Sequence, residues 1–440
     1  MELPYPTPFN THEPVAPYVP FDARTGFFRT FLKPVSEPSA DQSISSRRSP
    51  ERMTKNPLKR ASITALAAAT LALAVNAAHA ETIDRSLVPI GSIQEVATFS
   101  GPGPSGIVVT PEGRTFVGFP RHAEDHAGMT LGELVNGKLV PYPAAAVSLP
   151  SELSDAKRLV SLHGMTLDKR GRLWLIDDGK RAGKQGIPAG AAKVVGIDLS
   201  SNSIVTSIEL KDALRQDSHM NDLRIDLTHG SQGIAYVADS SFGDDPALVV
   251  VDLATGKQRR VLAGHPSIVA QKDFVTQLDG VPMRYDGKNS AFPHGGVDGL
   301  ALTPDSSRLF YSPLTSRHLW SLPTAALADF NLNDRQLAEQ IKDEGEKVMV
   351  DGMDMDAQGR LYMTDAEHHQ VLRRWPDGRL DVVLRDPRLV WPDGVFVTAD
   401  SVYVTLGQWS RMGKGFDTRQ PPYLLVRAPI EATPKFDAAH

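Results

Sequence analysis

Seven polar side chains gather at one recurring slot of this chain, and their types are those that hold cations or move protons. Ser105, His163, Asp222 (with Asn221 beside it), Asp298, Asp351 and Asp393 each stand immediately before the residue that opens a repeated phrase. If the phrases are related by rotation, these slots converge on one opening. Carboxylates crowded in this way raise one another's pKa or demand a cation. Hard oxygen ligands suit Ca2+ or Mg2+ better than Zn2+. Asp222, Asp298, Asp351 and Asp393 are therefore the expected ligands of one divalent ion. Such an ion polarises a carbonyl group or activates a water, with Asp298 or His163 as the base. The whole set, Ser105, His163, Asn221, Asp222, Asp298, Asp351 and Asp393, is the expected ligand-binding ring. Each aspartate taken singly also suits a turn, where its side chain caps local N–H groups. The shared register sets the group apart.

The phrases that carry the slot read PSGIVVTPEGRTFVGFP (104–120), LHGMTLDKRGRLWLIDD (162–178), NDLRIDLTHGSQGIAYVAD (221–239), VDGLALTPDSSRLFYSP (297–313), VDGMDMDAQGRLYMTD (350–365) and PDGVFVTADSVYVTL (392–406). Each is two alternating apolar runs about a polar turn, hence two strands. The opening residues Gly106, Gly164, Leu223, Gly299, Gly352 and Gly394 are separated by 58, 59, 76, 53 and 42 residues. A four-stranded blade needs about 40–50 residues. The fold class expected is all-β, a six-bladed β-propeller spanning 85–430. In a propeller the first strand of each blade lines the central channel, so the slot lies at one mouth. Asp177, Asp239 and Asp365, which end second strands, are expected at the opposite mouth as turn caps. An insertion at about 264–296 shows no clear period, and 323–342 reads as a surface helix.

Bulk properties narrow the function classes. A hydrophobic content of 41%, a charged content of 22% and a net charge of −5 describe an ordinary globular chain. They argue against a nucleic-acid partner, as does the lack of a basic cluster in the repeats. With no cysteine, disulfides, thiol nucleophiles and Cys-ligated metals are excluded. Residues 61–75 (ASITALAAATLALAV) form an apolar stretch preceded by Lys55, Lys59 and Arg60 and followed by Ala78-His79-Ala80. Charge, length and exit site mark a secretory signal at 53–80, too short to span a membrane. The mature protein is expected to be secreted or periplasmic, without a membrane span. Residues 1–52 read as a mis-called upstream start or a disordered extension.

Other features carry less. Arg121, His122, Glu124, Asp125 and His126 form a polar cluster that reads as a solvated loop. Trp174, Trp320 and Trp391 read as packing residues. The chain has no GxSxG elbow, HExxH motif, phosphate loop or dinucleotide fingerprint, so no nucleotide cofactor is expected.

The stretches MNDLRIDLTHGSQGIAYVADSSFGDDPALVVVDLATGKQRRVL, VDGLALTPDSSRLFYSPLTSRHLWSLPTAAL and FPRHAEDHAGMTLGEL resemble the major royal jelly/Yellow protein family, with blade order kept over most of 90–410. The resemblance implies a secreted six-bladed propeller; known members include pigmentation-linked proteins, nutritive proteins and small-amine binders. More distantly, Val297-Asp298-Gly299 and Pro392-Asp393-Gly394 look like blade openings of gluconolactonase/senescence-marker propellers. Those propellers carry one axial divalent ion. Their first-blade Glu corresponds to Ser105 here. Three functions stand open: a binder of a small polar or amine-bearing molecule at the channel mouth, a divalent-metal-dependent lactonase or related hydrolase or tautomerase, and a non-catalytic protein-interaction propeller.

Overall fold

The strand pairing implied by the repeats occurs six times, in six four-stranded antiparallel sheets. The computed structural model describes residues 88–241, 245–285, 295–413 and 416–431. The segments 1–52 and 53–80 and residues 286–294 of the insertion lie outside the described residues. Blade 1 runs Ile107–Val109, Thr115–Gly118, Leu131–Val135, Lys138–Pro141, and blade 2 runs Leu162–Leu167, Leu173–Asp177, Lys193–Asp198, Ser203–Glu209. Blade 3 comprises Met220–Asp226, Ile234–Asp239, Ala247–Asp252 and Gln258–Val261; blade 4 comprises Val297–Leu302, Arg308–Pro313, His318–Pro323 and Lys342–Glu346. Blade 5 comprises Met353–Met355, Leu361–Asp365, Gln370–Arg374 and Leu380–Arg385. Blade 6 joins the two ends of the repeat region: Pro392–Val397, Ser401–Leu406 and Tyr423–Pro429 pair in turn, and Gln94–Phe99 adds as the outer strand. That last pairing, Gln94 opposite Arg427 through Phe99 opposite Tyr423, fastens the circle with backbone hydrogen bonds.

The first strand of each blade touches that of the next, and blade 6 touches blade 1. The architecture is therefore a six-bladed β-propeller. Its apolar core is divided into slabs between neighbouring blades. Ile234, Tyr236, Leu248 and Val250 of blade 3 pack on Val297, Leu300, Leu309 and Tyr311 of blade 4. Val108, Phe116 and Leu131 of blade 1 meet Leu162, Leu173 and Val195 of blade 2. Strands buried on both faces read as near-continuous apolar runs, as in ALVVVD at 247–252.

The polar turns of the phrases hold the hairpins. Asp168 accepts from the backbone N–H groups of Arg170 and Arg172 and from the Trp174 indole. Asp356 repeats the device with Gln358, Arg360 and the Tyr362 hydroxyl. The expected helix at 323–342 is two short ones, Thr324–Ala328 and Asp334–Ala338, followed by the outer strand of blade 4. The Asn333 cap with Gln336 starts the second; there the cap overrides a continuous amphipathic pattern.

The aperiodic insertion contains a hairpin, Phe274–Leu278 with Val281–Tyr285. It turns at Asp279-Gly280, both at positive φ (48° and 78°), the requirement of a tight primed turn. Phe274 and Leu278 pack with Leu314, Met349, Ala366 and Trp391. The tip is tied to the segment after blade 6's second strand, Asp279 accepting from Ser410 and pairing with Arg411 at 3.3 Å.

The opening glycines mark where the inner strands pass closest. A Cβ on Gly299 would stand 2.5 Å from the Asp351 carbonyl oxygen, and one on Gly394 would collide with the carbonyl oxygen of Ser105. Gly106 meets the His163 carbonyl, Gly352 that of Asp393, and Gly164 the backbone of Asn221 and Asp222. Because both partners are backbone, a methyl group cannot be accommodated by a rotamer change. Gly394→Ala is expected to lower stability by about 1–3 kcal/mol, read as a reduced urea midpoint at unchanged slope.

Candidate functional site

A β-bulge aims the ring residues. The pairing of first and second strands slips between Leu162 and Met165, Met220 and Leu223, Val297 and Leu300, and Pro392 and Val395. His163, Asn221 and Asp222, Asp298, and Asp393 occupy these slips. A bulge leaves a residue outside the ladder and re-aims its side chain. Ser105, Asn221, Asp222, Asp298, Asp351 and Asp393 line a narrow axial space of about 30 Å³, together with Arg224, Met165 and Met353. Above it opens a cavity of about 200 Å³ lined by His122, His163, His219, Asn221, Asp298, Leu314, Asp351, Trp391, Asp393, Trp409 and Met412. Asn221, Asp298, Asp351 and Asp393 line both spaces and so form the floor of the larger one.

The ring members have different partners. Asp222 is committed to the scaffold: Oδ1 accepts from Leu223 N and Arg224 Nη1, at 2.9 and 2.8 Å, and Oδ2 accepts from Leu300 N of the next blade at 3.0 Å. Asn221 Nδ2 donates to Asp298 Oδ1 at 2.6 Å and to Ser240 Oγ. The Trp391 indole donates to Asp351 Oδ2, and the Trp409 indole to Asp393 Oδ2 at 2.7 Å. Trp391 sits at φ 50° and Gln408, just before Trp409, at φ 57°. Left-handed backbone at non-glycine residues is costly and concentrates at functional sites. Trp391 packs, as its sequence suggests, but it is also cavity wall.

His163 faces a group that sequence reading did not assemble. Its Nε2 lies 2.8 Å from His122 Nδ1, one donating and the other accepting. Asp178 Oδ2 is 3.7 Å from His163 Nε2 and 3.2 Å from His219 Nδ1. The three rings lie with centroids 4.5 to 4.8 Å apart. Asp178 and His219 sit next to the expected features but outside the repeated slot. The strand register brings them to His163. Leu162 pairs with Asp177 and Met220 with Asp239, so second strands end where first strands begin. The acids Asp177 and Asp239 are thus at the same mouth as the ring, not the opposite one. They do cap: Asp177 accepts from Val160 N and Ser161 N, and Asp239 from His219 N. That register was available from the two-strand phrase itself. His122 belongs to the cluster read as a solvated loop, where Arg121 and His126 are in fact buried. Trp409 and Met412 have no sequence signal.

Burial drives the titratable groups toward their uncharged forms. Asp298 and Asp351 are held well above the usual carboxylate range, first by desolvation and then by the charge of Asp393. Asp393 is raised to about 6 by desolvation, with Ser105 and Trp409 hydrogen bonds pulling the other way. Desolvation also lifts Asp178 to about 6. The histidines move downward: His122 and His163 lie well below the normal imidazole range and His219 falls to about 3, desolvation being the largest cause in each. At neutral pH the imidazoles are therefore neutral and Asp298 and Asp351 resist ionising, while Asp393 is the floor carboxyl that ionises first.

The model of the major royal jelly protein family matches residues 160–413 of this chain. Among individual relatives, major royal jelly protein 2 of Apis mellifera is 28% identical over 229 residues, covering 48% of this chain and 45% of that protein. Major royal jelly protein 3 of the same species is 22% identical over 282 residues, covering 59% of this chain and 48% of the relative. The matches thus span about half the length of these curated relatives or less. Among solved structures, regucalcin from Agrobacterium tumefaciens, described as a calcium-binding protein, is similar at 12% identity with TM-score 0.46, covering 78% of this chain and 97% of that one. Virginiamycin B lyase from Staphylococcus aureus is similar at 14% identity with TM-score 0.43, covering 77% and 98%. The match to the family model extends over more than half of the sequence, from the first strand of blade 2 to the segment beside Trp409, and the chain belongs to the major royal jelly protein family.

Proposed function

We propose that this propeller binds a small amine-bearing molecule with a flat ring, the ammonium on the acid floor and the ring among the indoles. One observation carries the reading: Asp298, Asp351 and Asp393 are forced together, desolvated, at the bottom of a cavity of about 200 Å³ walled by Trp391, Trp409, Leu314 and Met412. A cation there relieves the mutual repulsion of the acids, and an indole face adds attraction for a cation or a ring. The volume suits one compact ring compound. The same reading takes 53–80 as an export signal and 85–430 as one secreted propeller.

An axial Ca2+ or Mg2+ with Asp298 or His163 as base, the lactonase reading, has less in its favour. Asp222 gives both oxygens to protein donors. Among the described residues, three or more metal-ligating side chains converge within 4.8 Å at two places, and the acid ring is neither.

Two outcomes are expected. In calorimetric titrations with phenethylamine- or tryptamine-type probes, the wild type binds with measurable heat and the matching alcohols, which lack the charge, do not. Asp351→Asn, which keeps an acceptor for the Trp391 indole, weakens the amine about 10-fold or more, ~1.4 kcal/mol. Equal binding of amine and alcohol, or an unchanged Asp351→Asn, would sink the reading. The second concerns pH. The ammonium favours carboxylates that the empty site holds protonated, so binding releases protons and affinity rises with pH. With Asp393 at about 6 and Asp298 and Asp351 held well above the usual carboxylate range, affinity should climb as the pH rises through about 6, at about tenfold per pH unit for each proton released. Titration in buffers of differing ionisation enthalpy counts those protons.

A further inference from the structure

Beside the acid floor, three imidazoles stand on the wall of the same cavity with one buried carboxylate behind them, and the amine reading uses none of the four. We infer that His122, His163, His219 and Asp178 form a binding site for one divalent transition-metal ion of the Zn2+ class. The inference goes beyond the proposed function and does not depend on it.

Four observations carry it. The donor set comes first: nitrogen ligands with one carboxylate select Zn2+ and its first-row neighbours over Ca2+ or Mg2+, which require oxygen. Spacing is next. The four ligand atoms all lie within 4.8 Å of one another. His163 Nε2 and His122 Nδ1 are 2.8 Å apart, His219 Nδ1 and Asp178 Oδ2 3.2 Å, and His163 Nε2 and Asp178 Oδ2 3.7 Å. Ligands at about 2.0–2.1 Å in a tetrahedron stand roughly 3.3 Å apart, inside that range, so small side-chain shifts admit an ion without backbone movement. The third observation is Asp178 Oδ2, fully buried and making no well-aligned hydrogen bond among the described residues, although His219 Nδ1 stands 3.2 Å away. A buried carboxylate oxygen left unmatched is costly, and a cation at the centre of the group matches it. Position is the fourth: the three histidines line the cavity while Asp178 lies behind them, so the ion is entered from the cavity side and faces whatever the cavity holds.

The ligands come from different blades. His122 follows the second strand of blade 1. His163 and Asp178 belong to the first strand of blade 2 and the residue just past its second strand, and His219 precedes blade 3. An ion would therefore cross-link three blades.

The test uses the chelator-stripped full-length protein with Co2+ as a spectroscopic probe and Zn2+ in calorimetry, on the wild type, His122→Gln, Asp178→Asn and Asp351→Asn. Expected are one Co2+ per chain with visible d–d absorption, competed by Zn2+, and a raised melting temperature. His122→Gln and Asp178→Asn should weaken binding at least about 10-fold while keeping the metal-free circular dichroism and melting temperature. His122 is only partly buried and Asn preserves the shape of Asp178, so the two variants check folding independently. The inference is overturned if the wild type takes up no stoichiometric ion, if binding survives both substitutions, or if Asp351→Asn abolishes it while Asp178→Asn does not, which would place the ion in the acid ring. Amine titrations run in chelator separate this outcome from that of the amine reading.

Discussion

Everything at the mouth of this propeller follows from how closely six inner strands pass one another at the axis. At Gly106, Gly164, Gly299, Gly352 and Gly394, a side chain would run into backbone of the following blade. Glycine there is a packing requirement, and it sets the distance at which the preceding residues stand from one another. The bulges at three of these points, Gly164, Gly299 and Gly394, and a fourth just before Leu223 then turn the neighbouring residues off the ladder toward the axis. A repeat that looks like a turn motif in one dimension is, in three, a ring of contacts that gathers polar side chains whether or not their charges are compatible.

The scaffold resolves part of that incompatibility. Among the described residues Arg224 is the one cation lining the axial space; it pairs with Asp222, whose other oxygen is taken by Leu300 N. Asp354, one layer further along the channel, accepts from Val397 N and feels the same guanidinium. These two acids stitch blade 3 to blade 4 and blade 5 to blade 6. Among the described residues Asp298, Asp351 and Asp393 have no such ion pair, although the charge of the buried Lys347 acts on Asp298. They receive an amide and two indoles, which hydrogen-bond without neutralising. A neutral donor fixes where a carboxyl points but leaves its charge uncompensated, so burial keeps these three toward the protonated form.

The fold and half of the site were legible in the sequence because both rest on a short-range pattern. Alternation about a polar turn reports two strands, and the residue before each opening glycine reports a register, so Ser105, Asn221, Asp298, Asp351 and Asp393 could be placed together from spacing alone. His122, Asp178 and His219 could not be found in that way. They sit on connections, where no period exists, and they meet His163 only because antiparallel pairing returns Asp177 to the level of Leu162. Treating the two ends of a hairpin as opposite mouths hid them. The insertion was opaque for another reason: Phe274 and Leu278 alternate like any half-buried strand, but their partners, Leu314, Met349 and Trp391, are distant in sequence.

The wall and the floor of the cavity are mechanically one unit. Trp391 and Trp409 each commit their only side-chain donor to a ring carboxyl, and Trp409 is followed by the segment tied to the insertion through Arg411 and Asp279. The protonation state of the floor and the position of the indoles are therefore linked. An indole N–H bonds more strongly to a carboxylate than to a neutral acid. A cation that ionised Asp351 and Asp393 would thus tighten both indoles against the floor, so under the proposed amine binding the charge of the ligand and the shape of the wall would be read together rather than as independent contacts.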